Sequence, residues 1–471
     1  MVGLFNILSM AGQSLDVQQQ ATAIAGQNLA NVNNPSYSRQ SLEIQAATPI
    51  ETPVGEEGTG VESIGITQVR NALLDSQIQS EASASGSLAS QQSALDNAET
   101  NLNEQLNGAA SGAGADSASP QGLSTDLSNM FGALQSLSTD PGNISNRQTV
   151  VQSAQELTGQ FNQVSAGLNT LAAGLNSSIV SDVSGSNQDL AQIATLNQQI
   201  IQAKSSGGSA NDLVDLREKT LEDLAGKVSF TSSTQPDGAA NISIGGVAMV
   251  TGGTAADSLQ TYTNSSGQLL VQDQNSSAPL SLTGGSIEGS ITARDGALAT
   301  LQSSLNTLAS QLITQVNTVY SGGYDLNGGT GQNFFTGTDA ASIGVNATVV
   351  NDPSTFQAAG VAGASGDNTV VSALAQLASQ PVSDLNNQTF SQSYAATIGA
   401  FGSSLQSVNE QLNNSSAVSQ MLTTQRDSLS GVNTDTEMTN LMQFQKAYEA
   451  SAELITTVNQ MLETVLAMKT V

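Results

Sequence analysis

Acidic side chains are the strongest candidates for chemistry in this 471-residue chain, because the sequence contains no histidine and no cysteine. The usual zinc ligands, Ser-His-Asp triads and Cys-His dyads are therefore excluded, whereas catalysis by carboxylates or lysine is still open. Asp212 and Asp215 lie in a predicted helix, where they could form a catalytic carboxylate pair. The i,i+4 spacing of Asp215 and Lys219 instead predicts a supporting ion pair on a solvated helix face. We predict no catalytic residue.

The segment Tyr324–Gly331 has the composition of a ligand-binding loop, since Asp325 and Asn327 are followed by several glycines. However, Gly328 occupies a position where a calcium-binding pattern has a spacer, and no distal glutamate completes the set of ligands. The Lys-Ser/Thr pair of a phosphate-binding loop is missing as well. The sequence therefore predicts a glycine turn, and we expect neither a metal site nor a cofactor.

The charge balance is strongly acidic: 39 acidic and 11 basic residues give a formal net charge of -28. A surface of this sign repels phosphate backbones and anionic lipid. No run reaches the roughly 18 apolar residues of a membrane-spanning helix. The first basic residue is Arg39, so the N-terminus lacks the positive region of a cleavable signal. We expect no nucleic-acid partner, no membrane insertion, and a chain that is cytosolic or exported with its N-terminus intact.

The C-terminal segment from residue 441 repeats every seven residues, and almost all positions in its two registers are apolar. This is the pattern of a coiled-coil helix sustained over about four heptads. Thr434 and Glu437 precede the repeat with the spacing of a capping box. The positions predicted to mediate assembly are Leu441, Phe444, Tyr448, Ile455, Val458, Leu462 and Val465.

A weaker seven-residue pattern occupies the N-terminus, where residues 4–32 predict a helix with a single charge, Asp16. Since helical seams are concentrated at the two ends of the chain, we expect the ends to pair with each other. One isolated helical hairpin would leave much of their apolar surface exposed, which predicts assembly with further copies. The N-terminal positions assigned to assembly are Leu8, Leu15, Leu29 and Val32.

Helices are also predicted in the middle of the chain, wherever apolar residues recur at spacings of three and four. Breaks are expected near Pro141 and near Gly207-Gly208, since proline and glycine interrupt helices. The predicted inner helices cover residues 71–106, 122–228, 298–319 and 390–429.

Strands are predicted at residues 41–45 and 61–66, where apolar and polar side chains alternate. A second β-like region extends from residue 229 to about 291 and includes a hairpin that turns at Gly245-Gly246. Residues 108–119 are rich in glycine, alanine and serine, which predicts a linker.

The fold class that follows is mainly α with a β insertion. Because helical segments from both ends of the chain enclose the insertion, we expect an elongated multidomain protein with terminal coiled-coil helices, a helical-bundle central domain and a small outer β domain. The expected domains are residues 1–70 with 431–471, which hold the terminal helices and an adjoining extended segment, 71–228 with 291–430, which form the central helical domain, and 229–290, which form the β domain.

Two segments beside the terminal helices carry a resemblance to a known family. Residues 27–40 resemble the N-terminal signature of flagellar rod, hook and hook-associated axial proteins. Residues 431–437 and 448–452 are similar to the C-terminal signature of the hook-associated members. The chain departs from the family at Ser36, where glycine is usual and tolerates a positive φ more readily. The motif positions assigned by this resemblance are Asn28, Asn31, Asn33, Pro35, Tyr37 and Arg39.

The resemblance implies a structural, non-enzymatic subunit that forms the junction between the flagellar hook and filament. It also implies self-assembly through the paired terminal helices after type III export without cleavage, and hence an extracellular location in the bacterial flagellum. The implied partners are further copies of the chain in a ring or helical homo-oligomer, the hook protein, the second hook–filament junction protein, and an export chaperone at the C-terminal helix.

Two other interpretations remain open at the level of sequence. Another flagellar axial protein, either the hook protein or the second junction protein, would carry similar end motifs. A secreted adhesin or a cell-wall-acting enzyme with helical stalks is the alternative from a different class. The enzyme would be expected to carry an additional domain with a catalytic carboxylate in a cleft, and the sequence contains no recognisable block of that kind.

Overall fold

The computed structural model describes residues 2–52, 55–102 and 122–468, and it shows a mainly α protein with several small antiparallel sheets. The expected fold class is confirmed in this respect. The predicted linker at 108–119 lies outside the described residues. The helices are α1 (Val2–Ala30), α2 (Ala72–Leu102), α3 (Leu123–Thr139), α4 (Ile144–Ser205), α5 (Asn211–Lys227), α6 (Gly285–Thr292), α7 (Ala299–Tyr320), α8 (Ala347–Asn351), α9 (Thr369–Gln376), α10 (Phe390–Ser430) and α11 (Thr434–Met468).

The strands are short and form five small sheets within the described residues. They are β1 (Gln40–Ala46), β2 (Ile50–Thr52), β3 (Gly55–Glu57), β4 (Val61–Gln68), β5 (Thr231–Thr234), β6 (Ala240–Ile244), β7 (Val247–Thr251), β8 (Thr254–Ala255), β9 (Leu259–Thr263), β10 (Leu269–Asp273), β11 (Phe335–Thr336) and β12 (Gly344–Val345).

The breaks between α3, α4 and α5 fall where the sequence predicts them. α3 ends two residues before Pro141, whose ring is incompatible with a helix interior. α4 ends at Ser205, and Gly207 follows with a φ of +82°. A left-handed residue of this kind commonly terminates a helix. Both predicted breaks are confirmed.

The β-like prediction is wrong over residues 285–291, because the chain is helical there and α6 begins at Gly285. Ile287 and Ile291 are four residues apart, which suits one face of a helix as well as alternate positions of a strand. Packing decides between the two: Ile287 is fully buried, and Gly289 lies against α2. A Cβ at Gly289 would come within 2.2 Å of the Ser87 carbonyl oxygen, so only glycine permits this approach.

The chain forms two compact units, each assembled from segments distant in sequence. The first unit contains residues 1–85, 183–285 and 414–471, and the second contains 86–182 and 286–413. In this grouping the strands β5 to β10 belong to the same unit as the terminal helices. The expected division into three domains, with the β-rich segment separate, stays a prediction.

The second unit is organised around one apolar core. It includes buried side chains of α3, α7 and α9 together with parts of α2, α4 and α10. Tyr320, Phe334 and Phe356 form a buried aromatic cluster with ring centroids 5.2–5.4 Å apart. Beside this cluster, the fully buried Arg147 donates to the carbonyl oxygens of Pro141 and Phe356. These hydrogen bonds allow a guanidinium to be accommodated in an apolar interior.

In the first unit, α1 packs antiparallel against α11. The hydroxyls of Ser14 and Ser451 lie 3.1 Å apart, and Asn28 near the end of α1 reaches Glu437 near the start of α11. The predicted pairing of the outermost helices is confirmed. The β1–β4 ribbon lies against α1, at the two positions where the sequence predicts strands.

The predicted hairpin in the β-rich segment is also confirmed. β6 and β7 are antiparallel neighbours in a four-stranded sheet of order β5-β6-β7-β8. Gly245 and Gly246 connect them with φ values of +57° and +86°. Positive φ at both central positions is typical of the type I′ turn, which glycine adopts without strain.

Candidate assembly site at the paired termini

The buried face of α1 contacts both α11 and the β1–β4 ribbon, and it consists mainly of small residues. The alanines along it let the neighbouring backbones approach closely. Its buried apolar residues are Ala11, Val17, Ala21, Ile24 and Ala25. The N-terminal residues predicted for assembly are all half-buried: Leu8, Leu15, Leu29 and Val32.

α11 is far less covered than α1. Of its 35 residues, only Glu437 and Val458 are buried. Tyr448 and Val465 are 43% and 40% exposed. The remaining predicted seam residues are half-buried, namely Leu441, Phe444, Ile455 and Leu462. α1 therefore covers only part of the predicted seam.

A second apolar stripe follows α11 beside the predicted seam. Its members are spaced alternately by four and three residues, which is a heptad pattern in its own right. Val458 and Val465 belong to both stripes. The exposed fractions at Leu454, Met461 and Met468 are 40%, 52% and 75%. α11 therefore presents apolar side chains in two directions, and in the described part of the chain α1 covers one of them.

Asn28 is the centre of a buried hydrogen-bond network at the opposite end of the helix pair. Its Nδ2 donates to the Gln40 carbonyl oxygen at 2.9 Å and to Glu437 Oε2 at 3.2 Å. Its Oδ1 accepts from the Tyr37 hydroxyl at 2.9 Å and from the Gln40 backbone nitrogen at 3.0 Å. Both donors and both acceptor sites of the amide are satisfied, which accounts for an asparagine that is only 1% exposed.

Glu437 connects the Asn28 network to α11. Its buried carboxylate accepts from Arg39 Nε at 2.7 Å, in addition to its contact with Asn28. The predicted capping box is therefore wrong, and Asn433 Oδ1 caps the helix by accepting from the Thr436 backbone nitrogen at 3.0 Å. The physical reason is that a buried carboxylate requires a charged or strong donor, which the Arg39 guanidinium supplies.

Asp212 and Asp215 of α5 form a further set of contacts with the motif at residues 27–40. Gln40 Nε2 donates to Asp212 Oδ1 at 2.7 Å, and the Ser38 backbone nitrogen donates to Asp215 Oδ2 at 3.1 Å. Arg70 forms an ion pair with Asp215 at 3.2 Å. The two carboxylates are therefore hydrogen-bond acceptors that position the motif.

The predicted ion pair between Asp215 and Lys219 is wrong. Lys219 pairs with Asp223 at 2.9 Å on the exposed face of α5, whereas Asp215 is only 6% exposed. The i,i+4 spacing cannot distinguish these two partners, because both lie four residues from Lys219. Burial of Asp215 against Ser38 and Arg70 decides the outcome.

Burial also changes the acidity of this cluster. It raises the pKa of Asp215 to about 6, although the hydrogen bond from Ser38 and the charge of Arg70 oppose the increase. Burial likewise raises the pKa of Glu218, and it raises the pKa of the Tyr37 hydroxyl, which lies near Asp212 and Asp215. The interface between α5 and the motif at residues 27–40 therefore contains carboxylates whose ionised form is unfavourable.

We expect the free energy of unfolding of the first unit to fall as the pH rises through the pKa of Asp215. The folded-state pKa of Asp215 lies above its ordinary value of 3.8, so its favourable contribution is complete below about pH 4 and is lost through pH 6. A shift of this size corresponds to roughly 2–3 kcal/mol. Chemical denaturation at a series of pH values should give a shallower dependence for Asp215→Asn than for the unmodified chain. Asp223→Asn, at the exposed pair, is the matched control; equal slopes in all three proteins would contradict the assignment.

The other motif residues lie nearer the surface. Asn31 is half-buried and donates to the Gln27 carbonyl oxygen at 3.0 Å, while Asn33 and Pro35 are exposed. Ser36 has a negative φ, and its backbone nitrogen donates to Asn34 Oδ1 at 3.2 Å. Serine therefore occupies the usual glycine position without backbone strain.

The Tyr324–Gly331 loop uses its own carboxylate to close the turn. Asp325 Oδ1 accepts from the backbone nitrogens of Asn327 at 2.7 Å and Gly329 at 2.8 Å, an arrangement typical of Asx turns. Over residues 2–52, 55–102 and 122–468, acidic side chains do not converge into a group of three that could hold a metal ion. Over the same ranges, no helix combines the length and hydropathy needed to cross a bilayer.

Two family models match the chain. The "Flagellar hook-associated protein FlgK helical domain" matches residues 114–335. The "Flagellar basal body rod FlgEFG protein C-terminal" matches residues 424–468, which include the last residues of α10 and all of α11.

Curated relatives extend over nearly the whole sequence. Flagellar hook-associated protein 1 of Bacillus subtilis (strain 168) is 27% identical, covering 99% of this chain and 98% of that protein. Flagellar hook-associated protein 1 of Escherichia coli (strain K12) is 23% identical, covering 98% and 100% respectively. A solved structure, that of the flagellar hook junction protein FlgK from Burkholderia pseudomallei, is 23% identical with a TM-score of 0.48, covering 55% of this chain and 46% of that one.

Proposed function

Because this chain belongs to the family of flagellar hook-associated protein 1, we propose that it forms the hook–filament junction of the bacterial flagellum by assembling through its paired terminal helices. The proposed role of the helices rests on the incomplete coverage of α11 by α1. Two residues of α11 are buried, although the helix has two apolar heptad stripes. The proposed occupant of the open stripe is a second copy of the chain.

Charge distribution supports association between identical copies. The chain has a net charge of -28, so two copies repel each other over most of their surfaces. α1, however, has one charged residue, Asp16, in 29 positions. An almost uncharged helix beside an apolar stripe is a surface on which copies of the same acidic chain can meet with little repulsion.

The exposed apolar residues of α11 provide the driving force for assembly. Fully burying a leucine, valine or methionine side chain contributes about 1.5–3 kcal/mol, so covering a half-exposed one contributes roughly half of that. Leu454, Met461, Val465, Leu466 and Met468 are all between 40% and 75% exposed. Together they offer several kcal/mol per subunit, before the entropy lost on association is subtracted.

The proposed partners and location follow from membership of the family. They are the hook protein on one side, the second hook–filament junction protein on the other, and an export chaperone that covers the C-terminal helix before type III export. The absence of cysteine is compatible with transit of an unfolded chain, since no disulfide can form. The exposed apolar residues of α11 supply a reason for a chaperone, because such a surface is liable to aggregate. The protein is proposed to act outside the cell, without catalysis.

Deletion of the gene tests the proposed function. We expect cells with hooks but no filaments, and unpolymerised flagellin released to the medium. Electron microscopy and an immunoblot of the medium are the measurements, and restoration by the unmodified gene is the control. Normal filaments in the deletion strain would contradict the proposal, while loss of the hooks themselves would identify a hook protein instead.

A further inference from the structure

We propose that four methionines of α11 form an oxidation-sensitive surface, and that their conversion to sulfoxides by peroxides prevents assembly. They are Met438, Met442, Met461 and Met468. This inference rests on the proposed function, since it assumes that α11 is covered by neighbouring copies in the assembled state.

The composition of the chain directs oxidation to methionine. There is no cysteine and no tryptophan, so the thioether is the side chain that peroxides oxidise most readily. The sequence contains nine methionines, and four of them lie in the 35 residues of α11. The helix that is proposed to mediate contact therefore carries the largest concentration of oxidisable groups.

The four methionines of α11 are accessible in the isolated subunit. Met438 and Met442 are 54% and 58% exposed, and Met461 and Met468 are 52% and 75% exposed. On a helical projection the first two lie on one side of the face that α1 covers, and the second two on the other. Met461 and Met468 belong to the open stripe, and Met438 and Met442 lie on the other side of the covered face, so oxidation would alter the exposed surface on both sides of the α1 contact.

Other methionines provide an internal contrast. Met130 and Met249 are 1% and 0% exposed, so a peroxide cannot reach them in the folded protein. Met421 is 59% exposed but lies on α10, outside the pair of terminal helices. It matches the α11 methionines in accessibility and differs from them in location.

The chemical step is an oxygen-atom transfer. The thioether sulfur attacks one oxygen of hydrogen peroxide, the O–O bond breaks, and an S–O bond forms. Sulfur is oxidised by two electrons, and the other peroxide oxygen leaves as water, taking both protons. The product is a polar, chiral sulfoxide in place of a flexible apolar side chain.

The consequence differs between the isolated and the assembled state. In the isolated subunit the sulfoxides stay in water, so the helix pair keeps its fold. On assembly each sulfoxide would have to leave water for an apolar contact without a hydrogen-bond partner. We expect a loss of about tenfold in affinity for each sulfoxide that is buried.

The test measures binding of the full-length protein to hook–basal bodies isolated from the deletion strain. The protein is treated with hydrogen peroxide, its oxidised residues are identified by peptide mass mapping, and binding is measured by co-sedimentation. We expect the four α11 methionines and Met421 to oxidise at least about tenfold faster than Met130 and Met249. Binding should fall about a hundredfold or more after treatment.

Two variants separate the α11 methionines from the rest. A variant that combines Met438→Leu, Met442→Leu, Met461→Leu and Met468→Leu should show the same affinity for hooks before and after peroxide treatment, whatever its affinity relative to the unmodified protein. Met421→Leu should lose binding on treatment as the unmodified protein does. If untreated protein binds hooks and oxidation of the four methionines changes affinity less than twofold, the inference is overturned and the proposed function stands. If untreated protein fails to bind hooks at any concentration, both are overturned.

Discussion

Replacing Leu454 and Met461 together by aspartate is expected to abolish incorporation into flagella while leaving the isolated subunit folded. Both side chains are partly exposed, at 40% and 52%, so aspartate is solvated in the monomer. In the assembly an unpaired carboxylate in an apolar contact costs roughly 3 kcal/mol or more. Association should weaken more than about a hundredfold. Complementation of the deletion strain, scored by filament formation, measures the loss.

The matched control for this double variant is Thr456→Asp, a similar change at an exposed position on the opposite side of α11. It should complement normally. Val458→Asp provides the opposite comparison, because Val458 is only 3% exposed and a charge there should disrupt the α1–α11 pair within one subunit. Circular dichroism and thermal unfolding distinguish these cases. Filaments in cells that carry Leu454→Asp and Met461→Asp would show that the open stripe is not an assembly surface.

Asn28→Ala is expected to destabilise the junction between the terminal helix pair and the motif by roughly 3 kcal/mol. The substitution removes four hydrogen bonds and leaves the Gln40 backbone, the Tyr37 hydroxyl and Glu437 without their buried partner. Native-state hydrogen exchange should show the loss as faster exchange of amides at the end of α1 and the start of α11.

Asn33→Ala is the matched control, because it removes the same side chain from the same motif at an exposed position. It should change stability by less than about 0.5 kcal/mol. A cycle that combines Asn28→Ala with Glu437→Gln adds a second readout: the two side chains touch, so their effects should not be additive. Equal destabilisation by Asn28→Ala and Asn33→Ala would contradict the central position of Asn28.

The spacing of apolar residues, together with the positions of proline and glycine, predicts the secondary structure of this chain most reliably. The heptads at the two ends predicted a helix pair, and α1 packs against α11. Pro141 and Gly207-Gly208 predicted helix breaks, and Gly245-Gly246 predicted a hairpin turn. The breaks, the turn and the periodicity of each helix depend on residues within a few positions of each other, so local preferences suffice to specify them. The motif beside α1 was recognisable for the same reason, since its residues are contiguous.

The hydrogen-bond and ion-pair partners of polar side chains are predicted poorly from the sequence. Glu437 had the spacing of a capping residue and Asp215 that of an ion-pair partner for Lys219, yet both contact residues from distant segments. Gln40, which joins Asn28 to Asp212, had no distinguishing pattern of its own. The sequence offered a single clue, which was that Gln40 closes the motif that begins at Gln27.

The amino-acid sequence by itself thus determined the long helices and their breaks, that the two ends pair, and that one of them carries more apolar surface than a partner helix covers, whereas it assigned residues 285–291 to the wrong class. Only the tertiary structure decided which stripe of α11 stays open and which carboxylates hold the motif. The physical reason is that burial and hydrogen-bond satisfaction depend on three segments, at residues 28–40, 212–215 and 437, that are far apart along the chain. Local spacing can specify whether a segment is a helix or a strand. The partner of a buried charge, in contrast, depends on which distant residues the fold brings beside it.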